Sequence, residues 1–233
     1  LALELPDGPG AGFRMRYHNA DGSVAEMCGN GIRCLARFAL EVGATGKRNL
    51  TWETGAGLLR TEVLEHGDRK STVRVNMGPP RLTPAEVPVV GSGEMVREQL
   101  FAMDGTSLLL TCVSMGNPHA ITYVDDVDTF PLERLGPIVE HHPAFPRRTN
   151  FEIVEVLAPD HLRMRVWERG VGETMACGTG ACAVAVASHI VKGTGDTVAV
   201  DLPGGQLTIH WAEGEDVMMT GPAETVFVGK LEI

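Results

Sequence analysis

Residues 167–183 read WERGVGETMACGTGACA: a charged pair, a cysteine and a glycine-flanked polar residue set immediately ahead of a small-residue apolar run. The same arrangement stands upstream. FRMRYHNADGSVAEMCGNG (residues 13–31) lies over LRMRVWERGVGETMACGTG (residues 162–180) without a gap, 149 residues apart. Arg14-Met15-Arg16 falls on Arg163-Met164-Arg165, Cys28 on Cys177, Gly29 on Gly178, and Gly31 on Gly180.

Working outward, each copy predicts the same order of elements. Phe13, Met15 and Tyr17 alternate with Arg14 and Arg16, the period of a half-buried strand. After a polar loop and Cys28-Gly29-Asn30-Gly31, Ile32, Leu35, Ala36 and Ala39 sit at helical spacing. Arg33, Arg37 and Glu41 are expected on the solvent side of that helix, and Gly43 ends it. Strand-like runs follow at 50–52, 58–64 and 71–77, with turns marked by Gly55, Gly57 and Gly67-Asp68. Met77-Gly78-Pro79-Pro80 opens a Pro- and Gly-rich passage to about Gly93, read as the crossover between halves.

The second half predicts strands at 108–114, 120–124, 150–157 and 162–167, with an irregular polar stretch carrying Pro131, Pro137, Pro143 and Pro146. The helix after Cys177, residues 180–192, is apolar nearly all round and therefore expected to be central. Strands at 197–202, 206–211 and 217–220 lead to Gly221-Pro222, an echo of Gly78-Pro79. The expectation is an α+β fold of two pseudo-symmetric halves, residues 1–78 plus 223–233 and residues 79–222. Each half is a helix wrapped by mostly antiparallel strands, with the active site in the cleft between them.

Composition narrows the classes. With 233 residues and 43% apolar content the chain can bury a core as one large domain or two modest ones. Thirty acidic against twenty basic side chains, a net charge of −10, argue against a nucleic-acid partner. The longest apolar run, 181–191, is broken by Ser188 and His189 and is too short to cross a bilayer. Five cysteines without a Cys-x-x-Cys pair fit neither a disulfide framework nor a zinc ribbon, so a reducing cytoplasm is the expected compartment. There is no initiator Met, and residues 1–5 read as an element already under way, so the natural chain is expected to begin upstream.

The repeated cysteine carries the chemistry. Cys34, Cys112 and Cys182 fall within predicted helices or an apolar strand and read as small buried hydrophobes. Cys28 and Cys177 each precede a helix start, where bare amides and the positive end of the helix dipole lower a thiol's pKa. Four roles compete for such a pair: a disulfide, a metal site, a single nucleophile, or acid–base work on both faces of one carbon. Two thiolates are too few ligands for a metal, and a lone nucleophile explains only one repeat. A thiolate that removes a proton opposite a thiol that donates one uses both. Helix-terminal amides at Gly29-Asn30 and Gly178-Thr179 would then hold a carboxylate beside the reacting carbon. Simple N-capping by Asn30 and Thr179 is the plainer reading of the same residues.

Asn-Ala-Asp-Gly-Ser (19–23) leading to Met-Cys-Gly-Asn-Gly-Ile-Arg-Cys (27–34), and Trp-Glu-Arg-Gly-Val-Gly-Glu-Thr (167–174) leading to Ala-Cys-Gly-Thr-Gly-Ala (176–181), resemble the two signatures of the diaminopimelate epimerase family. Met-Gly-Asn-Pro-His (115–119), Arg-Thr-Asn-Phe (148–151) and Pro-Gly-Gly (203–205) are similar to further family stretches in the same order. The family's opening Gly-x-x-Asn-Asp-Phe-like motif has no counterpart here.

The resemblance implies an isomerase that interconverts LL- and meso-diaminopimelate for lysine and peptidoglycan precursors. It needs no cofactor and no metal, and its small-molecule substrate is met by a cytoplasmic homodimer without a membrane partner. It further implies Cys28 and Cys177 as the acid/base pair, with His119 and Glu168 tuning their protonation. Asn19, Asn117, Asn150, Glu168 and Arg169 would bind substrate, with Gly29, Asn30, Gly178 and Thr179 at the reacting end. Proline or hydroxyproline epimerases and histidine racemases share such paired cysteines. A non-catalytic amino-acid binding protein is the rival from another class.

Overall fold

The computed structural model describes every residue except 19–21, 23, 26, 27, 104 and 230–233, and only the backbone of residue 25. The chain divides into two units, Leu1–Asn76 with Thr220–Ile233, and Met77–Met219.

The first unit holds β1 (Ala2–Glu4), β2 (Phe13–His18), β3 (Val24–Ala25), α1 (Gly29–Glu41), β4 (Asn49–Thr54), β5 (Gly57–His66) and β6 (Lys70–Asn76). Strand order is β1-β2-β4-β5-β6, and β3 pairs with β2. All these pairings are antiparallel except β2 with β4. Met15 in β2 and Ser71, Val73 and Val75 in β6 turn inward on alternate positions, as a half-buried strand requires. Ile32, Leu35, Ala36 and Ala39 of α1 are buried, and the helix packs on β1, β2, β5 and β6.

Three expectations for α1 are corrected. Arg33 and Arg37 are buried, not on a solvent face. Arg37 donates to Gly67 O, Asp68 O, Ser71 Oγ and Thr225 Oγ1, and Arg33 to Gly29 O, Asn30 Oδ1 and Pro222 O. Long stems carry both guanidiniums to backbone carbonyls and side-chain oxygens, which meet the buried charge. Cys34, expected as a core residue, is exposed. It lies off the 32/35/36/39 stripe, on the face that carries half-exposed Phe38.

The second unit holds β7 (Gln99–Met103), β8 (Thr106–Ser114), β9 (Pro118–Tyr123), α2 (Leu132–Glu140), β10 (Asn150–Ala158), β11 (His161–Glu168), β12 (Gly172–Thr174), α3 (Gly178–Lys192), β13 (Thr197–Leu202) and β14 (Gly205–His210); β15 (Met218–Glu224) straddles the division. The order is β14-β13-β11-β10-β9-β8-β7, with β12 on β11. Parallel pairs are β9 with β10 and β11 with β13. Helix α3 is buried from Ala181 to Ser188 and touches β8, β9, β10, β11, β13 and β14. Its alternation of alanine and valine lets strands approach from every side.

Helix α2 lies where an irregular stretch was expected. Pro131 caps it and Pro137 sits inside it, yet Leu132, Leu135 and Val139 are buried on one face. Gly136 explains how closely that face docks, since a Cβ there would come within 2.5 Å of the Trp167 ring.

The repeat extends through the element order. β2, β3 and α1 recur as β11, β12 and α3, and β4, β5 and β6 recur as β13, β14 and β15. The parallel pair Phe13↔Trp52 returns as Leu162↔Val200, and the hairpin closure Thr54↔Gly57 as Leu202↔Gly205. The fold is α+β, duplicated in one chain.

Candidate active site

Both cysteines occupy the same local geometry. Each is the N-cap of its helix in extended conformation, Cys28 at φ −141° and ψ 112°, Cys177 at φ −127° and ψ 110°. Cys28 Sγ accepts from Gly31 N at 3.3 Å, and Cys177 Sγ from Gly180 N at 3.4 Å. The first helical bonds, Ile32 N to Cys28 O and Ala181 N to Cys177 O, are equally matched at 2.9 and 3.0 Å. The caps are therefore the cysteines themselves, and the capping expected of Asn30 and Thr179 is corrected. Both of those residues already lie inside the helices, at the second helical position. A thiol at the cap turns an orphan amide into a hydrogen-bond donor to sulfur.

Glycine at the fourth position of each motif keeps that space open. A Cβ on Gly31 would meet Leu1 at 3.3 Å and Cys28 Cβ at 3.4 Å; on Gly180 it would meet Glu152 Oε1 at 2.9 Å and Cys177 Sγ at 3.3 Å.

In the first unit, Asn30 Oδ1 accepts from Arg33 Nη2 at 3.0 Å, and Gly29 is buried. Asn19 lies outside the described residues. In the second unit the surroundings of Cys177 are dense. Thr179 Oγ1 is 3.5 Å from its sulfur and accepts from Asn117 Nδ2 at 3.2 Å. Asn117 Oδ1 stands 3.1 Å from His119 Nε2, and His119 Nδ1 stands 2.6 Å from Glu152 Oε1. His119 and Glu152 are both fully buried. Strands β9 and β10 place them together through the parallel pairing Asn150↔His119.

Glu168 closes β11, and its Oε1 accepts from the Thr174 hydroxyl at 2.5 Å across the β11–β12 hairpin. The turn between them needs left-handed backbone at Gly170 (φ 76°) and Gly172 (φ 109°). Asn150 ties this turn to β9: its Nδ2 donates to Pro118 O, and its Oδ1 accepts from Arg169 N. The Arg169 guanidinium is exposed and donates to Arg147 O. Gly204 packs behind the approach to Cys177, its amide on Met175 O at 2.7 Å. Asn117, His119, Asn150, Glu168, Arg169, Gly178 and Thr179 thus lie on connected elements of the same unit as Cys177.

One electrostatic expectation is corrected. Burial pushes the Cys177 thiol well above the usual thiol range, and the Glu168 and Glu152 carboxyls push the same way. The Thr179 hydroxyl and the Gly180 amide oppose this without reversing it. The helix terminus is real, but desolvation outweighs it.

Two contributors escaped the sequence reading. Glu152 sits in Phe151-Glu-Ile-Val, a strand buried on both faces, where an acidic residue is the outlier that flags it. Glu140, at the end of α2, accepts from Trp167 Nε1 at 2.8 Å, Gly170 N at 2.9 Å and Arg148 Nη1 at 3.1 Å. Burial alone would raise its carboxyl, yet these donors, with His141 nearby, hold it below the usual carboxylate range. It was missed because α2 was missed. Among the described residues, no three His, Cys, Asp or Glu side chains converge as a metal ion would require. No described helix is long and apolar enough to cross a membrane.

Comparison with known proteins bears on this geometry. The family model described as diaminopimelate epimerase matches residues 6–83 and 111–226. A diaminopimelate epimerase of Leptospira biflexa is 50% identical over 223 residues, covering 95% of this chain and 80% of that protein. One of Acetivibrio thermocellus is 50% identical over 235 residues, covering 100% and 83%. Among solved structures, a hydroxyproline epimerase from Agrobacterium vitis matches with a TM-score of 0.69 at 17% identity, over 96% of this chain and 71% of that one. A Bacillus anthracis phenazine biosynthesis protein of the PhzF family matches with a TM-score of 0.66 at 20% identity, over 97% and 82%. These two likenesses speak to fold.

Proposed function

The chain belongs to the diaminopimelate epimerase family, and on that premise we propose that it interconverts LL- and meso-diaminopimelate by a 1,1-proton transfer between Cys28 and Cys177. The observation that carries the reading is the matched pair of cysteine N-caps, alike in backbone angles, sulfur–amide distance and following glycine. One cysteine as thiolate takes the α-proton from one face of the carbon while the other, as thiol, returns a proton to the opposite face. Reversing the direction exchanges the roles. Burial that holds Cys177 in its thiol form suits it to the donating step.

Deprotonation puts charge onto the carboxylate next to the reacting carbon. Amides at Gly29-Asn30 and Gly178-Thr179 are assigned to hold it, because a helix N-terminus presents fixed donors that need no reorganisation. Arg169 is assigned to a carboxylate, and Asn19, Asn117, Asn150 and Glu168 to the polar groups of the substrate. His119 and Glu168 set the protonation of the cysteines. Each half, residues 1–78 plus 223–233 and residues 79–222, contributes one cysteine to the reaction. The chemistry asks for no cofactor. A homodimer in the cytoplasm, within lysine and peptidoglycan precursor synthesis, completes the proposal.

The test is proton NMR of LL-diaminopimelate with the enzyme in D₂O. The α-hydrogen signal disappears as the meso isomer forms, and both changes slow at least about a hundredfold with Cys28→Ser or Cys177→Ser. Folded protein that leaves the signal unchanged removes this substrate, and proline, hydroxyproline and histidine follow as probes.

A further inference from the structure

Four side chains connect Cys177 to the interior: Thr179, Asn117, His119 and Glu152, spaced at 3.5, 3.2, 3.1 and 2.6 Å in that order. The chain has two self-consistent directions. In one, every group donates towards sulfur; in the other, every group donates away from it. Asn117 cannot mix them, since its amide has a donating and an accepting end, and neither can a neutral imidazole with one N–H. With a neutral imidazole the direction is thus tied to what Glu152 offers to His119 Nδ1, whereas an imidazolium paired with an ionised Glu152 would donate at both nitrogens.

We infer that Glu152 is the positioning residue of the Cys177 site: as a neutral carboxylic acid it donates to His119 Nδ1 and so directs the whole chain of hydrogen bonds towards Cys177 Sγ. This rests on Cys177 acting on substrate as proposed above. With Nδ1 occupied as acceptor, the imidazole proton sits on Nε2 and points at Asn117 Oδ1. Asn117 Nδ2 then donates to Thr179 Oγ1, and the threonine hydroxyl is left to donate to sulfur. Gly180 N supplies a second donor to the same atom. When Cys177 delivers its proton to carbon, the thiolate appears facing donors already aimed at it.

Three observations favour the neutral acid. Glu152 is wholly buried, and no described residue offers its Oε2 a hydrogen-bond partner. A bare carbonyl oxygen costs far less there than a bare carboxylate oxygen. The groups that face Glu152 are His119 on β9, Cys112 on β8, Glu168 on β11 and Cys177 at the start of α3. His119 is the single base among them, so an ionised Glu152 would add negative charge beside Glu168 and the emerging thiolate. Burial also holds the carboxyl above its usual range, and His119 offsets this only in part.

The direct measurement is the tautomer of His119 in the intact enzyme, by long-range ¹H–¹⁵N correlation, with His119→Asn assigning the signals. Near pH 7 a neutral ring protonated at Nε2 alone is expected; a ring protonated at Nδ1 alone, or at both nitrogens, overturns the inference. Kinetics give a second reading. Glu152→Gln can still donate to Nδ1 and retains kcat within about threefold, whereas Glu152→Leu loses about thirtyfold or more in kcat with KM within about twofold. Equal losses in the two variants would mean that a carboxylate charge is required, and the inference fails. Should Glu152→Leu not fold, the His119 tautomer in wild type and in Glu152→Gln decides. Full activity of Cys177→Ser would instead sink the acid–base reading, while the His119 tautomer would still report on Glu152.

Discussion

At the scale of single residues, the site depends on a few atoms being small, polar or absent. Gly180→Ala puts a methyl group 2.9 Å from Glu152 Oε1 and 3.3 Å from Cys177 Sγ, so two buried side chains of the site must shift to admit it. A loss of about 1–3 kcal/mol in denaturant stability is expected, with kcat falling more than KM rises. Substituting either cysteine by serine keeps an oxygen to accept the cap hydrogen bond, so the melting temperature should hold while turnover falls at least about a hundredfold. Cys28 and Cys177 were legible because the repeat singled them out. Glu152 was not, because its importance comes from burial in a strand with no exposed face, and one acidic letter in FEIV does not state how deep it lies. Cys34 misled for the converse reason: adjacency to a core stripe says nothing until the helix is turned to its true orientation.

At the scale of elements, two buried charges hold the parts that carry the site. Glu140 joins α2 to Trp167 in β11, to Gly170 in the β11–β12 turn and to Arg148 ahead of β10. Glu140→Ala leaves the indole and amide donors without their acceptor and should cost about 2–4 kcal/mol by chemical denaturation. Because that turn carries Glu168 and Arg169, KM for diaminopimelate should rise as well; an unchanged KM would show that the turn keeps its shape alone. Arg37 does the corresponding work for α1, gathering acceptors from the β5–β6 turn and from Thr225. Arg37→Ala should destabilise by about 2–4 kcal/mol, and Arg37→Lys should recover little, since one ammonium cannot reach four acceptors in a plane. Most strands and the two cysteine-capped helices were legible from period and composition, whereas the short β3 and β12 and the edge strand β7 were not. Helix α2 was hidden by its prolines, although Leu132, Leu135 and Val139 already carried helical spacing.

At the scale of the whole molecule, the duplication was the most legible feature, since a gapless echo around two cysteines also predicted the order of elements around it. What the echo could not convey is asymmetry among the described residues: the second copy surrounds its cysteine with His119, Glu152 and Glu168, whereas Arg33 holds Asn30 in the first. That asymmetry has a pH signature. Glu152 is held above its ordinary value of 4.5 in the folded protein, so the folded form binds its proton more tightly than the unfolded chain. Its contribution to stability is complete below about pH 4.5 and declines as pH rises through the folded value. The difference in denaturation midpoint between wild type and Glu152→Gln should follow that slope, and a difference independent of pH would contradict it. The cysteine caps lead further. Serine is at least as good a helix cap, so any screen that rewards folding alone would accept oxygen at 28 or 177. A descendant that had lost the reaction would keep this architecture, and its shape would not betray the loss. Living and silent copies of this fold would differ by a single element of the periodic table.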